Sequence, residues 1–224
     1  MKKLRVMILT LCAAIVMVGC NNLGKGTAIG AAGGAALGAI VGKIAGNTAV
    51  GAAIGTAVGA GTGALIGKHM DKVKKQAEAV KNAQVEEITD ANGLQGVKVT
   101  FDSGILFATN SSTLNATSKN SLTQFAGVLK QNNDCDVAIY GHTDNTGNDA
   151  INNPLSVKRA QAVQSYLLGQ GVNAAQIKTV DGQGSTNPVA DNSTAEGRKQ
   201  NRRVEVYMYA SQAMINNAEA GKLQ

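Results

Sequence analysis

The 224-residue chain has no Trp, only three Phe and four Tyr, and only two Pro. So few aromatic rings leave no platform on which nucleic-acid bases could stack. Charge of either sign is sparse, at 16% of residues, with a net of +6. Three of the 21 basic residues, Lys2, Lys3 and Arg5, sit at the extreme N-terminus. Without them 18 face 15 acidic residues, a net of +3 that is too mild and too dispersed to recruit nucleic acid. His occurs twice and Cys three times. His142 is the only His beyond residue 69 and has no Cys or His partner at ligand spacing, so neither a metal site nor a cofactor is expected.

What the chain has in quantity is glycine, 27 residues. Gly26, Gly30, Gly34, Gly38, Gly42 and Gly46 recur every fourth position, and Gly51, Gly55, Gly59, Gly63 and Gly67 repeat the pattern after a slip at Gly46-Asn47-Thr48, a turn sequence. Neighbours on a helix lie three and four residues apart, so each run draws a smooth stripe down one face. Such stripes let helix backbones approach closely in membranes, and they offer a surface on which copies could associate as a homo-oligomer. Each arm is about 20 residues, or about 30 Å as a helix, close to the thickness of a hydrocarbon core. The pattern predicts a glycine-zipper helical hairpin inserted in the membrane. A flexible Gly/Ala tether is the competing reading, because each Gly costs about 1 kcal/mol in a helix relative to Ala.

Ahead of the zipper, Lys2, Lys3 and Arg5 precede the apolar stretch Val6–Val18, which reads as a secretory signal over residues 1–19. Val18-Gly19-Cys20 resembles the lipobox of bacterial lipoproteins, which implies acylation of Cys20. Several acyl chains hold a protein firmly in a bilayer. Asn21 and Asn22 follow, and by the same resemblance favour the outer membrane. Cys12 leaves with the signal, so Cys135 is the one thiol left and no intramolecular disulfide can form in the mature chain. Cys135 is read as a small structural residue beside a strand.

The remainder divides into a 20–69 lipidated zipper segment, a 70–84 helical stalk, an 85–210 domain and a 211–224 polar tail, read as a frayed helix. In the stalk Met70, Val73, Ala77 and Val80 share a face. The domain reads strand, strand, helix, strand, helix, strand, strand. The first pair, Val85–Thr89 and Val97–Phe101, flanks an Asn-Gly turn. A helix over Ala116–Gln131 shows Leu122, Phe125, Ala126 and Leu129 on one side, and strand Val137–Gly141 follows. A second helix runs from Pro154 to Leu168 with Asn153 as its cap. Strand Ile177–Val180 comes next, and Val204, Val206 and Met208 alternate in the last strand. The fold class is α+β, with two helices packed on one face of a small mixed β-sheet.

Val99-Thr100-Phe101-Asp102-Ser103, Gly141-His142-Thr143-Asp144, Asn152, Leu155-Ser156, Arg159-Ala160 and Asn201-Arg202-Arg203-Val204-Glu205-Val206 resemble, in order, the OmpA-like domain. The resemblance covers nearly all of 97–210 and implies non-covalent binding of peptidoglycan through the diaminopimelate residue of its stem peptide. That residue is a zwitterion, so a receptor needs an acid for the ammonium and a base for the carboxylate. Asp144 and Arg159 supply the pair, and the planar guanidinium can hold a carboxylate by two bonds. The resemblance further implies that Asn152 hydrogen-bonds the peptide and Leu155 packs on its methylenes. Phe101 and Asp102 are implied to offer an apolar wall and a backbone N–H, and Asn201 and Arg202 to border the site.

Together these features imply a lipid-anchored outer-membrane protein with its C-terminal domain in the periplasm, tethering the membrane to the cell wall. A second reading places the function in the zipper, in membrane assembly or stress tolerance, with wall contact as an accessory. An enzyme is not expected: Asp102 and Asp144 could be imagined as paired carboxylates for glycan cleavage, yet no hydrolase signature accompanies them.

Overall fold

A computed structural model describes residues 59–89, 93–102, 106–107 and 110–223. The expected leader, Cys20 and most of the glycine repeat lie outside these. The described chain forms helix α1 (Ala60–Glu78), strands β1 (Ala83–Thr89) and β2 (Gln95–Asp102), helix α2 (Ala116–Gln131), strand β3 (Cys135–Gly141) and helix α3 (Asp149–Gly169). Strand β4 (Ile177–Gly182), helix α4 (Ala195–Asn201), strand β5 (Arg203–Ala210) and helix α5 (Gln212–Glu219) complete it.

The five strands make one mixed sheet in the order β1-β2-β5-β3-β4. Only the β3–β4 pair is parallel, with α3 as its crossover; the other neighbours run antiparallel. Alternation decides the two faces. Val97, Val99 and Phe101 of β2, Val204, Val206 and Met208 of β5, and Val137 and Ile139 of β3 all turn to one side and are fully buried. Against them lie Leu122, Phe125 and Leu129 of α2 and Ala160, Val163 and Leu167 of α3, the faces expected from their spacing.

Two further helices join this core. The segment expected to be a stalk belongs to α1, which begins ten residues earlier and packs on the sheet. Ile66, Met70, Val73 and Ala77 are all 0% exposed. Burying side chains of this size contributes about 1.5–3 kcal/mol for each of the larger ones. The last two zipper glycines, Gly63 and Gly67, therefore stand in a helix docked on the domain, so a membrane hairpin cannot extend to Gly67. Among the described residues no helix is long and apolar enough to cross a membrane. The tail forms α5 instead of fraying: Ser211 caps it by accepting from the Met214 N–H, and Met214, Ile215 and Ala218 are buried.

The second domain helix starts at Asp149, earlier than expected. Asn148, not Asn153, is the cap, its side chain accepting from the Ile151 N–H at 3.1 Å. Pro154 thus lies inside the helix, on its exposed surface. Helix α3 also sits unusually close to the ends of β3 and β4. A Cβ on Gly141 would come within 2.1 Å of the Ser156 carbonyl oxygen, and one on Gly182 within 2.3 Å of the Ser156 hydroxyl. Those two glycines let the helix settle there, beside the loop that carries Asp144.

Candidate functional site

Beyond its last residue, β3 stays tied to its neighbours. The His142 N–H donates to the Arg203 carbonyl at 2.9 Å and the Thr143 N–H to that of Gly184 at 2.8 Å. Asp144 is therefore placed by backbone pairing although it lies in a loop. Its Oδ1 accepts from the Thr146 N–H at 2.9 Å, and its Oδ2 accepts from Arg202 Nη1. Burial alone pushes the carboxyl pKa up, but the bonds from Arg202 and Thr146 more than offset this and hold it below the usual carboxylate range. Asp144 is a fixed anion, poorly suited to act as an acid.

Arg159 projects from the third turn of α3 and is only 3% exposed. Its Nε donates to the Ser111 carbonyl at 3.1 Å, and its guanidinium lies 5.3 Å from the centroid of the Phe107 ring. Ring and carbonyl fix the plane of the fork. Nη1 is buried and has no hydrogen-bond partner among the described residues. Burial lowers the pKa of this group, as does the neighbouring Arg202 charge, while Asp144 raises it. A guanidinium stays charged through this balance. A held cation with an unused donor is what an incoming carboxylate requires.

A shallow pocket of about 320 Å³ is lined by Asn110, Ser112, Ile151, Pro154, Leu155 and Lys158; of the expected site residues it takes in Leu155, while Asp144, Asn152 and Arg159 lie outside its lining. Leu155 is half-buried at its wall. Asn152, on the same side of α3, donates from Nδ2 to the Thr146 carbonyl at 3.2 Å and so braces the Asp144 loop. The expected face of Asn152, Leu155 and Arg159 is thus formed.

Other expected residues take different places. Asp144 pairs with Arg202 and not with Arg159. The Phe101 side chain does not form a wall of the site: it is 0% exposed and packs edge-on against Phe125, ring centroids 5.5 Å apart. Its alternation with Val97 and Val99 directs it into the core. Asp102, next along the strand, lines a groove on the opposite side of the sheet. The Asn201 amide is spent on the scaffold: it accepts from the Val189 and Ala190 N–H groups and donates to the Ala190 carbonyl and Asn192 Oδ1. Phe107 and the Ser111 carbonyl, which orient Arg159, were absent from the expected set.

Arg203 enters a separate network on the far face. Its Nε donates to Glu205 Oε1 at 2.7 Å, its other nitrogens donate to the Asn201 and Asn187 carbonyls, and Tyr207 donates to Glu205 Oε2 at 2.6 Å. His142 Nε2 stands 3.4 Å from the same oxygen.

The sequence model of the OmpA family matches residues 106–202. The outer-membrane lipoprotein YfiB of Pseudomonas aeruginosa is 40% identical over 116 residues, 52% of this chain and 68% of that protein. The chain belongs to the OmpA family. Its OmpA region contains Asp144, Asn152, Leu155, Arg159, Asn201 and Arg202, and begins just after Phe101 and Asp102. A probable lipoprotein, YiaD of Escherichia coli, is 48% identical over 108 residues, covering 48% of this chain and 46% of the relative. The chain therefore spans about half the length of that relative. Among solved structures, the cell wall anchor of the T6SS from Pseudomonas aeruginosa has a TM-score of 0.53 at 28% identity, over 63% of this chain and 97% of that one. A second family model, the YMGG-like Gly-zipper, matches residues 1–71, so the glycine repeat is itself a family feature.

Proposed function

We propose that this protein is an outer-membrane lipoprotein that binds peptidoglycan non-covalently and ties the membrane to the cell wall. Asp144 receives the ammonium of the diaminopimelate residue and Arg159 its carboxylate. Asn152 holds the loop and offers its carbonyl to the peptide, and Leu155 covers the ligand's methylenes. The observation that carries this reading is the buried Arg159 fork, oriented by Phe107 and Ser111 with Nη1 unused, in electrostatic contact with a fixed carboxylate. Membership of the OmpA family, the likeness to outer-membrane lipoproteins and the likeness to a cell wall anchor support it. Each contact can be weak, since a lipid-anchored population meets a continuous wall and gains by avidity.

The test is co-sedimentation with purified sacculi of residues 59–224, a fragment that keeps Ile66 and so preserves the docked α1. Wild type should pellet with the wall, while folded Asp144→Ala and Arg159→Ala variants stay in solution. A stem peptide with lysine in place of diaminopimelate, which lacks the second carboxylate, should compete poorly. Undiminished pelleting of both variants would remove the site assignment.

The Gly-zipper match favours a membrane role for the N-terminal segment as a second reading, in outer-membrane assembly or stress tolerance. On this reading the membrane-inserted part ends before Ile66, where α1 docks on the domain. Crosslinking of Gly34→Leu and Gly55→Leu variants in membranes is expected to show fewer oligomers than wild type if the zipper faces associate.

A further inference from the structure

The other His of the chain, His69, lies on α1, 65 positions before Asp134. The fold places His69 Nε2 at 3.4 Å from Asp134 Oδ2, where α2 hands over to β3. The next residue along each segment meets its counterpart: Cys135 Sγ lies 3.9 Å from Met70 Sδ. The ligand atoms of His69, Asp134 and Cys135 all lie within 4.8 Å of one another.

These separations can be set against the edges of a coordination tetrahedron. With metal–N and metal–O bonds of about 2.0–2.1 Å, a tetrahedral N···O edge is about 3.3 Å; with metal–S bonds of about 2.3 Å, an S···S edge is about 3.8 Å. The two observed pairs, at 3.4 and 3.9 Å, have these lengths already. Access and enclosure also suit an ion. Cys135 and Met70 are fully buried, whereas the side chains of His69 and Asp134 are 11% and 28% exposed.

We propose that His69, Asp134, Cys135 and Met70 form a binding site for a thiophilic d¹⁰ cation, zinc or cuprous copper. The donor set of one imidazole, one carboxylate, one thiolate and one thioether excludes hard ions such as Mg²⁺ and Ca²⁺, which take oxygen ligands. Binding replaces the Cys135 S–H bond by a metal–sulfur bond and releases one proton. The site joins α1, which continues the glycine segment, to the first residues of β3. An ion there would staple the helix that leads from the membrane side to the wall-binding domain. Asp144 lies beyond the opposite end of β3, a seven-residue strand of about 20 Å, so the two sites are separate.

The experiment uses the full chain in mild detergent, stripped of metal and kept reduced by a non-thiol phosphine. Zinc and cuprous ion are titrated separately, with Mg²⁺ as control, and binding stoichiometry and Tm are read. One equivalent of zinc or cuprous ion should bind and raise Tm; at 100-fold excess over Kd the folding equilibrium shifts about 100-fold. Cys135→Ser should abolish the metal-dependent shift. His69→Gln, at a more exposed position, should weaken binding at least tenfold while leaving the metal-free fold intact. Loss on Asp134→Asn with tolerance of Met70→Leu identifies zinc as the fit, and the reverse identifies cuprous ion. No stoichiometric binding of either ion, an equal response to Mg²⁺, or an unchanged shift in Cys135→Ser and His69→Gln overturns the proposal.

Discussion

Arg202 and Arg203 are adjacent in the chain and end up in opposite circumstances. Arg203 opens β5, and strand alternation turns it to the far face of the sheet, whereas Arg202 caps the end of α4 and reaches the Asp144 loop. Arg203 is 4% exposed, and its nitrogens meet Glu205 and two backbone carbonyls, while Tyr207 and His142 occupy the other carboxylate oxygen. Arg202 is exposed over about a third of its side chain and shares Asp144 with a backbone N–H. Close to it, Arg159 keeps a buried donor unused. Both regions are ion pairs of Arg with a carboxylate. One has satisfied its guanidinium and carboxylate internally and reads as structure. The other holds charge ready, and the difference lies in the unspent guanidinium donor, not in the residue types.

The largest effect should come from breaking the satisfied network. Glu205→Ala leaves the Arg203 guanidinium buried without its counter-ion and should destabilise the domain by about 3–5 kcal/mol in urea unfolding, with folded protein still binding sacculi. The same network sets an acid sensitivity. Burial pushes the Glu205 carboxyl pKa up, but His142, Arg203 and Tyr207 overcome this and hold it well below its ordinary 4.5. Its contribution is complete above pH 4.5 and is lost as the pH falls below that value, where the unfolded chain takes up the proton first. Burial also lowers the His142 pKa below its ordinary 6.5, so the loss should begin once the pH falls under 6.5. In Glu205→Ala the carboxyl part of this slope should vanish. A stability change under about 1 kcal/mol would mean that the two Arg environments are energetically alike.

Next in size is the effect of emptying the other region. Arg159→Ala should lower affinity for a diaminopimelate stem peptide by about 2–4 kcal/mol, roughly 30- to 1,000-fold, as truncating one side of a desolvated charge pair does. Arg159→Lys should recover little of this, because an ammonium cannot grip two oxygens in one plane or stack on Phe107. Full rescue by Lys, measured by calorimetry, would show that point charge suffices and that the orientation by Phe107 and Ser111 is incidental.

How much of this was legible in the residues follows from the range of each signal. Helix α2 and the alternation of Val204, Val206 and Met208 are local patterns, and they were readable. The apolar face of α1 was readable as well, but periodicity says that a face exists and not what covers it. Residues 70–84 therefore read as a stalk, whereas Ile66 and Met70 lie under the sheet. The tail carried its own cap in Ser211, obscured by polar composition. In the site, Asp144 and Arg159 were marked by their family resemblance. The parts that aim Arg159 were not, since a backbone carbonyl such as that of Ser111 leaves no trace in residue identity. Phe101 could have been placed in the core from its alternation with Val97 and Val99. The approach of His69 to Asp134 was invisible for a different reason: ligand spacing along a chain does not register partners 65 residues apart.

The smallest expected effect is the most informative about the comparison. Arg202→Ala removes the partly exposed partner of Asp144, and an ion pair with one side chain in reach of solvent contributes about 1 kcal/mol to folding. The Thr146 N–H keeps the carboxylate in place, and the carboxyl pKa should move back up toward its ordinary value, which NMR titration would follow. Two effects on binding then oppose each other. The ligand ammonium gains sole claim on Asp144 Oδ2, while the ligand carboxylate loses a nearby positive charge. The net change should be under tenfold, well short of that for Arg159→Ala. If Arg202→Ala instead removed binding as completely as Arg159→Ala, the carboxylate would have to be held by Arg202. The unused Arg159 donor would then be a cost of packing α3 against Phe107, and the division between spent and ready charge would run through a different residue.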